Sequence, residues 1–177
     1  MMAHKKGLFM INTGEGKGKT TAALGLMLRA WGHGMRVCMF QLLKDGRGDY
    51  GEYRAAEKIG MEIHPLGDGC QWDWKDEITA QAVNLAAWER IKTTIASGDY
   101  DLIILDEFTF LIQFGWLDAD EVSQWIVNNK PQDLHLLITG RDTPQPLIDV
   151  ADLVTSMEAI KHPFHIQGAK AQKGIEY

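Results

Sequence analysis

The sequence has few cysteines, a deficit of basic residues and no long apolar run. Cysteine occurs twice in 177 residues, at Cys38 and Cys70, which excludes a disulfide framework and the paired-cysteine spacing of a zinc site. No apolar run approaches the ~20 residues of a membrane-spanning helix. The polar, basic residues 1–7 also lack the apolar core of a signal peptide. We therefore expect a cytoplasmic protein without a membrane segment.

The charge balance argues against a general nucleic-acid binder. Eighteen lysines and arginines face 24 aspartates and glutamates, for a net charge of −6. The hydrophobic fraction of 45% is typical of globular proteins. Because no linker, repeat or low-complexity tract is visible, we expect residues 1–177 to form a single domain.

One glycine-rich stretch, TGEGKGKTT at residues 13–21, follows an apolar run and precedes a helical pattern. This order predicts a phosphate-binding loop, whose backbone N–H groups and helix N-terminus attract an anion. Lys19 would reach phosphate oxygens, and the Thr20 hydroxyl would reach a bound Mg²⁺. The strict pattern has glycine where this chain has Thr13, so the flanking strand and helix supply the supporting context. The predicted nucleotide-binding residues are Thr13, Gly14, Glu15, Gly16, Lys17, Gly18, Lys19, Thr20 and Thr21.

Strand and helix patterns alternate along the rest of the chain. We predict strands at residues 8–12, 36–43, 61–65, 102–105, 134–139 and 153–157. We predict helices at residues 20–31, 52–59, 78–97, 118–128 and 144–151. This alternation predicts a three-layer α/β fold of the P-loop NTPase type. Its mostly parallel sheet of roughly six strands would be covered by helices on both faces, with ligands outside the carboxyl ends of the strands.

Four further charged residues, at three places in the chain, are candidates for the site. The apolar run 102–105 stops at Asp106 and Glu107, a pattern in which a buried strand delivers an acidic residue to hold Mg²⁺. Arg141 follows a predicted strand, where it would face phosphate or form a surface ion pair. Arg29, within the first helix, would contact a ligand or be a solvated cation at the helix end.

Two aromatic stretches complete the candidates. Residues 66–77 contain Cys70, Trp72 and Trp74 and are too polar for a core element yet too aromatic for an ordinary loop. Residues 108–116 are aromatic and apolar, which is typical either of core packing or of a wall against a large apolar ligand.

Taken together, these motifs resemble the corrinoid adenosyltransferases that use a phosphate loop. The resemblance covers nearly the whole chain in order. It rests on TGEGKGKTT at 13–21, RAWGHG at 29–34, LIILDEF at 102–108, ITGR at 138–141 and AKAQKGIEY at 169–177.

The resemblance implies that a reduced corrinoid cobalt, Co(I), attacks the 5′ carbon of ATP and expels triphosphate. Lys19 would neutralise the leaving triphosphate together with Mg²⁺ held at Thr20 and Glu107. ATP would lie reversed relative to its pose in hydrolases, with the γ-phosphate deep in the loop. Cobalt needs no proton removed, which agrees with the absence from the sequence of a His/Asp or Ser/His constellation near the loop.

The resemblance also implies a role for the loop after the third strand. In the family, the pattern glycine, phenylalanine, any residue, tryptophan excludes the lower axial ligand of cobalt and so eases its reduction. Trp72 matches this pattern in the stretch 69–72, whereas Cys70 stands where phenylalanine is expected. Alternatively, Trp72 packs under its own loop. The family further implies a homodimer and a flavoprotein or other reductant as partner.

Two other functions remain open. A phosphoryl-transferring enzyme such as a nucleoside kinase would use the same loop, although two isolated cysteines cannot supply the zinc segment usual in thymidine kinases of this architecture. An ATP-gated protein that carries a corrinoid to another enzyme would bind both ligands without chemistry.

Overall fold

The computed structural model describes residues 6–44, 46–67, 77–162, 168 and 170–176. In these parts of the chain, six strands alternate with helices. The strands are β1 (Phe9–Thr13), β2 (Val37–Gln41), β3 (Glu62–Pro65), β4 (Leu102–Asp106), β5 (His135–Thr139) and β6 (Leu153–Ser156). The helices are α1 (Lys19–Gly32), α2 (Gly51–Ile59), α3 (Glu77–Ser97), α4 (Thr109–Gln113), α5 (Ala119–Asn129) and α6 (Gln145–Val150).

The six strands form one parallel sheet in the order β3-β2-β4-β5-β1-β6. Strand β5 therefore lies between β1, which precedes the glycine-rich loop, and β4, which ends at Asp106. The parallel arrangement brings all strand carboxyl ends to the same edge. The register pairs Gln41 of β2 with Asp106 of β4, and Asn12 of β1 with Thr139 of β5. The predicted parallel α/β sheet is confirmed.

Both faces of the sheet are covered, as the alternation along β4 shows. Leu102 and Ile104 pack with α1 on one face, whereas Ile103 and Leu105 pack with residues of α3 to α6 on the other. All four side chains are buried. Because successive strand residues point to opposite faces, a strand buried on both faces must be apolar throughout. This requirement explains the continuous apolar runs in the sequence.

The helices end where the sequence indicates. Helix α1 buries Ala23, Met27 and Ala30 against the sheet and stops at His33, whose N–H donates to the Ala30 carbonyl at 3.0 Å. Helix α5 begins after Asp118, whose carboxylate accepts a 3.0 Å hydrogen bond from the Glu121 N–H. The predicted bounds of the eleven elements agree with the structure within two residues.

Helix α4 is a short element that the pattern did not predict. It lies in the aromatic stretch 108–116, where Phe108, Leu111 and Trp116 are buried in the core beneath α3. Core packing therefore accounts for these three side chains, while Phe114 is 39% exposed. The short helix has five residues, too few for an amphipathic period to show in the sequence.

No helix among the described residues is both long and apolar enough to span a bilayer.

Two isoleucines of α3, one buried and one exposed, allow a matched test of the core. Ile91 is fully buried and Ile78 is 80% exposed on the same helix. We expect Ile91→Ala to lower the free energy of unfolding by about 2–5 kcal/mol, because it leaves a cavity. Ile78→Ala should change it by less than about 0.5 kcal/mol. Urea unfolding of both variants measures the difference, and equal effects would contradict the assigned core.

Candidate functional site

The glycine-rich loop between β1 and α1 wraps back on itself at the carboxyl edge of the sheet. Gly14 and Gly18 have φ angles of +94° and +111°, a region that favours glycine. A Cβ atom on Gly14 would lie 2.5 Å from the Met157 carbonyl oxygen, and one on Gly16 would lie 2.7 Å from the Glu158 carbonyl. The loop glycines are therefore required both by conformation and by the segment that follows β6.

Two backbone hydrogen bonds fix that contact. The Gly16 N–H donates to the Met157 carbonyl at 2.6 Å, and the Met157 N–H donates to the Thr13 carbonyl at 2.8 Å. The end of edge strand β6 thus braces the outer side of the loop.

Lys19 reaches into the loop from the first turn of α1. Its ammonium Nζ donates to the carbonyl oxygens of Gly14 at 2.6 Å and Gly16 at 2.8 Å. The residue is only 6% exposed. Burial lowers the pKa of this amine, and the nearby Glu107 carboxylate partly opposes that shift. A cation is therefore held where the sequence predicts the phosphates to bind.

Asp106 is the centre of a buried hydrogen-bond network at the end of β4. Its Oδ1 atom accepts from the hydroxyls of Thr20 at 2.9 Å and Thr139 at 2.7 Å. Its Oδ2 atom accepts from the Gln41 amide Nε2 at 3.1 Å. Asp106 is 1% exposed. The carboxylate therefore receives donors from α1, β2 and β5, which compensates the cost of its burial.

Glu107 follows Asp106 with a φ of +60°, a conformation that costs a non-glycine residue roughly 1–2 kcal/mol. The β5 end holds it there, because the Glu107 N–H donates to the Thr139 hydroxyl at 3.0 Å and the Phe108 N–H donates to the Thr139 carbonyl at 3.0 Å. Burial, and then the charge of Asp106, raise the pKa of the Glu107 carboxyl. Its Oε2 atom is buried and has no hydrogen-bond partner in the described chain.

These groups have the chemistry of a magnesium site. Mg²⁺ binds oxygen ligands, usually one or two carboxylates plus substrate phosphates and several waters. The Thr20 hydroxyl, the Asp106 carboxylate and the unpartnered Glu107 Oε2 supply such oxygens beside the loop. The residues present therefore fit a bound Mg²⁺.

Two ion pairs tie neighbouring segments to the loop tip. Glu15 pairs with Arg141, with 2.7 Å between Oε2 and the guanidinium, and Lys17 pairs with Glu176 at 2.8 Å. The Arg141 carbonyl oxygen is held in turn by the hydroxyl of Thr109 at 2.7 Å. Arg141 therefore lies at the loop in an ion pair, which is one of its two sequence-based interpretations, and its contact with phosphate stays a prediction.

The remaining predicted site residues do not lie in the Lys19 and Asp106 contacts described above. Thr13 accepts a 2.9 Å hydrogen bond from the Thr143 hydroxyl, and Thr21 is exposed in the first turn of α1. Arg29 is exposed in the last turn of α1, ten residues from Lys19 and so about 15 Å away along the helix axis. Its nucleotide contact stays a prediction. Trp72 lies outside the described residues.

Three residues of the network were not among the predicted site residues: Asp106, Gln41 and Thr139. Each is the last residue of an observed strand, β4, β2 and β5 respectively. The predicted strand 36–43 continues past Gln41, so the sequence does not mark this residue as a strand end, and the polar Thr139 at the end of its strand gains meaning only beside Asp106. For Asp106 the sequence indicated the acidic pair, and the resemblance selected its neighbour Glu107 as the metal ligand.

Comparison with protein families finds one match across almost the whole chain. The family model described as ATP:corrinoid adenosyltransferase BtuR/CobO/CobP matches residues 5–177. The chain is 39% identical over 176 residues to a corrinoid adenosyltransferase of Sinorhizobium sp, covering 98% of this chain and 81% of that protein. It is 35% identical over 173 residues to corrinoid adenosyltransferase CobA of Salmonella typhimurium, covering 98% and 87% of the two chains.

Among solved structures, the fold is similar to the flagellar accessory protein FlaH from Methanocaldococcus jannaschii. The TM-score is 0.60 at 12% identity, covering 86% of this chain and 71% of that one. At this identity the likeness concerns the fold alone.

The Asp106 network makes a prediction for Thr139. We expect Thr139→Val to lower the free energy of unfolding by about 1–3 kcal/mol, because it leaves the Glu107 N–H without its acceptor and removes one donor from Asp106. The matched control is Thr93→Val on α3, whose exposed hydroxyl bonds only within its helix and should matter by less than about 0.5 kcal/mol. Urea unfolding compares them; indistinguishable midpoints and slopes would refute the structural role of Thr139.

Proposed function

Because the chain belongs to the ATP:corrinoid adenosyltransferase family, we propose that it transfers the 5′-deoxyadenosyl group of ATP to the Co(I) ion of a corrinoid and releases triphosphate. The corrinoid and its cobalt are substrate, and ATP is the co-substrate. The role would lie in the synthesis or salvage of adenosylated corrinoid.

The family relationship carries this proposal, and the phosphate loop with Lys19 inside it is the feature of the fold that supports it. Nucleophilic attack by Co(I) at carbon needs no general base, so the demand on the protein is to position ATP and stabilise the departing triphosphate. The Lys19 ammonium is already held within 2.8 Å of the loop carbonyls. Donors that are in place before the reaction stabilise developing charge without reorganisation.

Arg141 is the second cation that we assign to the triphosphate. It lies beside the loop, because Glu15 holds its guanidinium and the Thr109 hydroxyl holds its carbonyl. A phosphate oxygen in the loop would compete with Glu15 for the same guanidinium. We retain Arg29 as a predicted nucleotide contact on the resemblance alone.

We assign Mg²⁺ to the Thr20 hydroxyl and the Glu107 carboxylate, with Asp106 positioning Thr20. Bound there, the cation would neutralise charge on the triphosphate. The Thr20 hydroxyl is oriented by its hydrogen bond to Asp106, and the buried Glu107 Oε2 is available as a ligand oxygen. The assignment keeps Thr20 and Glu107 as predicted and adds Asp106 as the group that positions Thr20.

Trp72 is assigned to the cobalt side of the reaction by the family pattern. An apolar side chain at the lower axial face would exclude water and ease reduction of Co(II) to Co(I). Cys70 would fill less space there than the phenylalanine of the pattern. We also propose, on the family resemblance, a single domain that acts as a cytoplasmic homodimer and receives electrons from a flavoprotein or another reductant.

A reductive assay tests the reaction. Incubation with MgATP, a corrinoid and a strong reductant should form adenosylcorrinoid, followed by absorbance, and intact triphosphate in equal amounts, measured by chromatography. Lys19→Ala should lower the rate on the order of 10²–10³-fold, whereas Lys92→Ala on α3 should not. Release of ADP and phosphate would contradict the proposal in favour of a kinase. Binding of both ligands without product in a single turnover would instead indicate a carrier.

Trp72→Ala separates cobalt reduction from adenosyl transfer. With enzymatically reduced Co(II) corrinoid, we expect the variant to lose activity about tenfold or more, equivalent to roughly 1.4 kcal/mol in the barrier. With chemically generated Co(I) it should retain more activity, and Trp72→Phe should retain activity in both assays because it keeps an apolar ring. Equal losses with both cobalt states would contradict the assigned role.

A further inference from the structure

Gln41 occupies the carboxyl end of β2 directly beside Asp106. It is fully buried, and the register pairs it with Asp106 across the β2–β4 ladder. Its side-chain amide Nε2 donates to the Asp106 Oδ2 atom at 3.1 Å. A glutamine enclosed at the end of an otherwise apolar strand is costly unless its polar atoms are used.

The orientation of the Gln41 amide is set by its neighbour. An ionised carboxylate only accepts hydrogen bonds, so the amide must present its NH₂ group to Asp106 and turn its carbonyl oxygen away. That oxygen, Oε1, is buried and has no hydrogen-bond partner within the described residues. Amide bond lengths place Oε1 within about 2.6 Å of Nε2, hence less than about 6 Å from the Asp106 carboxylate.

A second buried acceptor flanks the same carboxylate. Glu107, the next residue in the chain, has its Oε2 atom buried without a partner in the described structure. Both Gln41 Oε1 and Glu107 Oε2 therefore need a donor or a cation at the site where the Mg²⁺ assignment places one. Water bound to Mg²⁺ is such a donor, since its oxygen lone pair is directed to the metal and its hydrogens point outward. Mg²⁺ characteristically keeps several of these waters.

We propose that Gln41 is a positioning residue of the magnesium site, whose Nε2 orients Asp106 and whose Oε1 accepts a hydrogen bond from a water of the hydrated cation. The residue thus supports both Thr20, through Asp106, and the water shell of the metal. This inference rests on one part of the proposed function, namely that the protein binds ATP together with Mg²⁺. It assigns Gln41 no contact with the reacting atoms.

Calorimetric titration with ATP, in the presence and absence of Mg²⁺ and without corrinoid, tests the inference. Gln41→Met keeps the side-chain length and removes both polar atoms. We expect this variant to bind ATP without Mg²⁺ as the wild type does. The enhancement of ATP affinity by Mg²⁺ should fall about 10- to 100-fold, as is typical when a residue that hydrogen-bonds to the ligands of a metal is replaced. Retained Mg²⁺-free binding also shows that the variant is folded.

Asn84→Leu is the matched control. Asn84 on α3 is also a buried amide, with its Nδ2 on the Ala80 carbonyl at 2.9 Å and its Oδ1 without a partner among the described groups. Its removal should leave the Mg²⁺ enhancement unchanged. If Gln41→Met does not fold, Gln41→Asn, which keeps the amide but shortens its reach, should show the same loss of enhancement.

The outcomes separate this inference from the proposed function. If the ATP affinity of the wild type is the same with and without Mg²⁺, both the magnesium assignment and the role of Gln41 are overturned. The adenosyl-transfer assay could still succeed in that case. A wild-type enhancement that Gln41→Met preserves would overturn the role of Gln41 alone. If Gln41→Met loses ATP affinity equally with and without Mg²⁺, Gln41 supports the loop in general, and its proposed role at the magnesium site is overturned.

Discussion

The buried carboxylate of Asp106 is the constraint on which the rest of the site depends. A charge removed from water must be compensated by donors in good geometry, and here the donors come from three separate elements. Thr20 contributes from α1, Gln41 from β2 and Thr139 from β5. Satisfying one carboxylate therefore fixes the phosphate-loop helix relative to three strands. The same contacts orient the Thr20 hydroxyl, so the stability of the folded state and the preparation of the site share one network.

The parallel sheet makes that network possible. Because all strands run in one direction, the last residues of adjacent strands meet at a single edge, and one polar residue at each end is enough to build a cluster. The loop above it is shaped mainly by its glycines and by the backbone bonds to Met157. The exposed Lys17–Glu176 and Glu15–Arg141 ion pairs contribute little by comparison, about 0.2–1 kcal/mol for pairs of this type. Their effect is to place side chains around the loop rather than to form it.

The sequence predicted the parts of this structure that depend on local pattern. The glycine-rich loop, the apolar strands and the long helices are each specified by residues close together in the sequence, through turn residues or a hydrophobic period. The predicted bounds of the strands and helices therefore lie within two residues of those observed. Helix α4 was missed because five residues are too short for a period. Gln41 and Thr139 were missed because a single polar residue at a strand end has meaning only when the neighbouring strands are known. Arg29 was included because it is the one charge within the predicted helix 20–31 that follows the loop, and spacing along a sequence does not show that it lies about 15 Å from Lys19.

The loop and its network do not by themselves choose between attack at phosphorus and attack at carbon. A lysine within the loop and a threonine held by an acidic strand end would stabilise triphosphate as a leaving group, and they would equally stabilise a phosphoryl group in transfer. What distinguishes the two reactions is which end of ATP faces the nucleophile. For adenosyl transfer the phosphates must be held firmly while the 5′ carbon stays accessible, and a buried Lys19 that is hydrogen-bonded to two loop carbonyls suits the first requirement. The loop alone does not decide the second requirement, so the family relationship, rather than the phosphate-binding geometry, favours adenosyl transfer as the reaction.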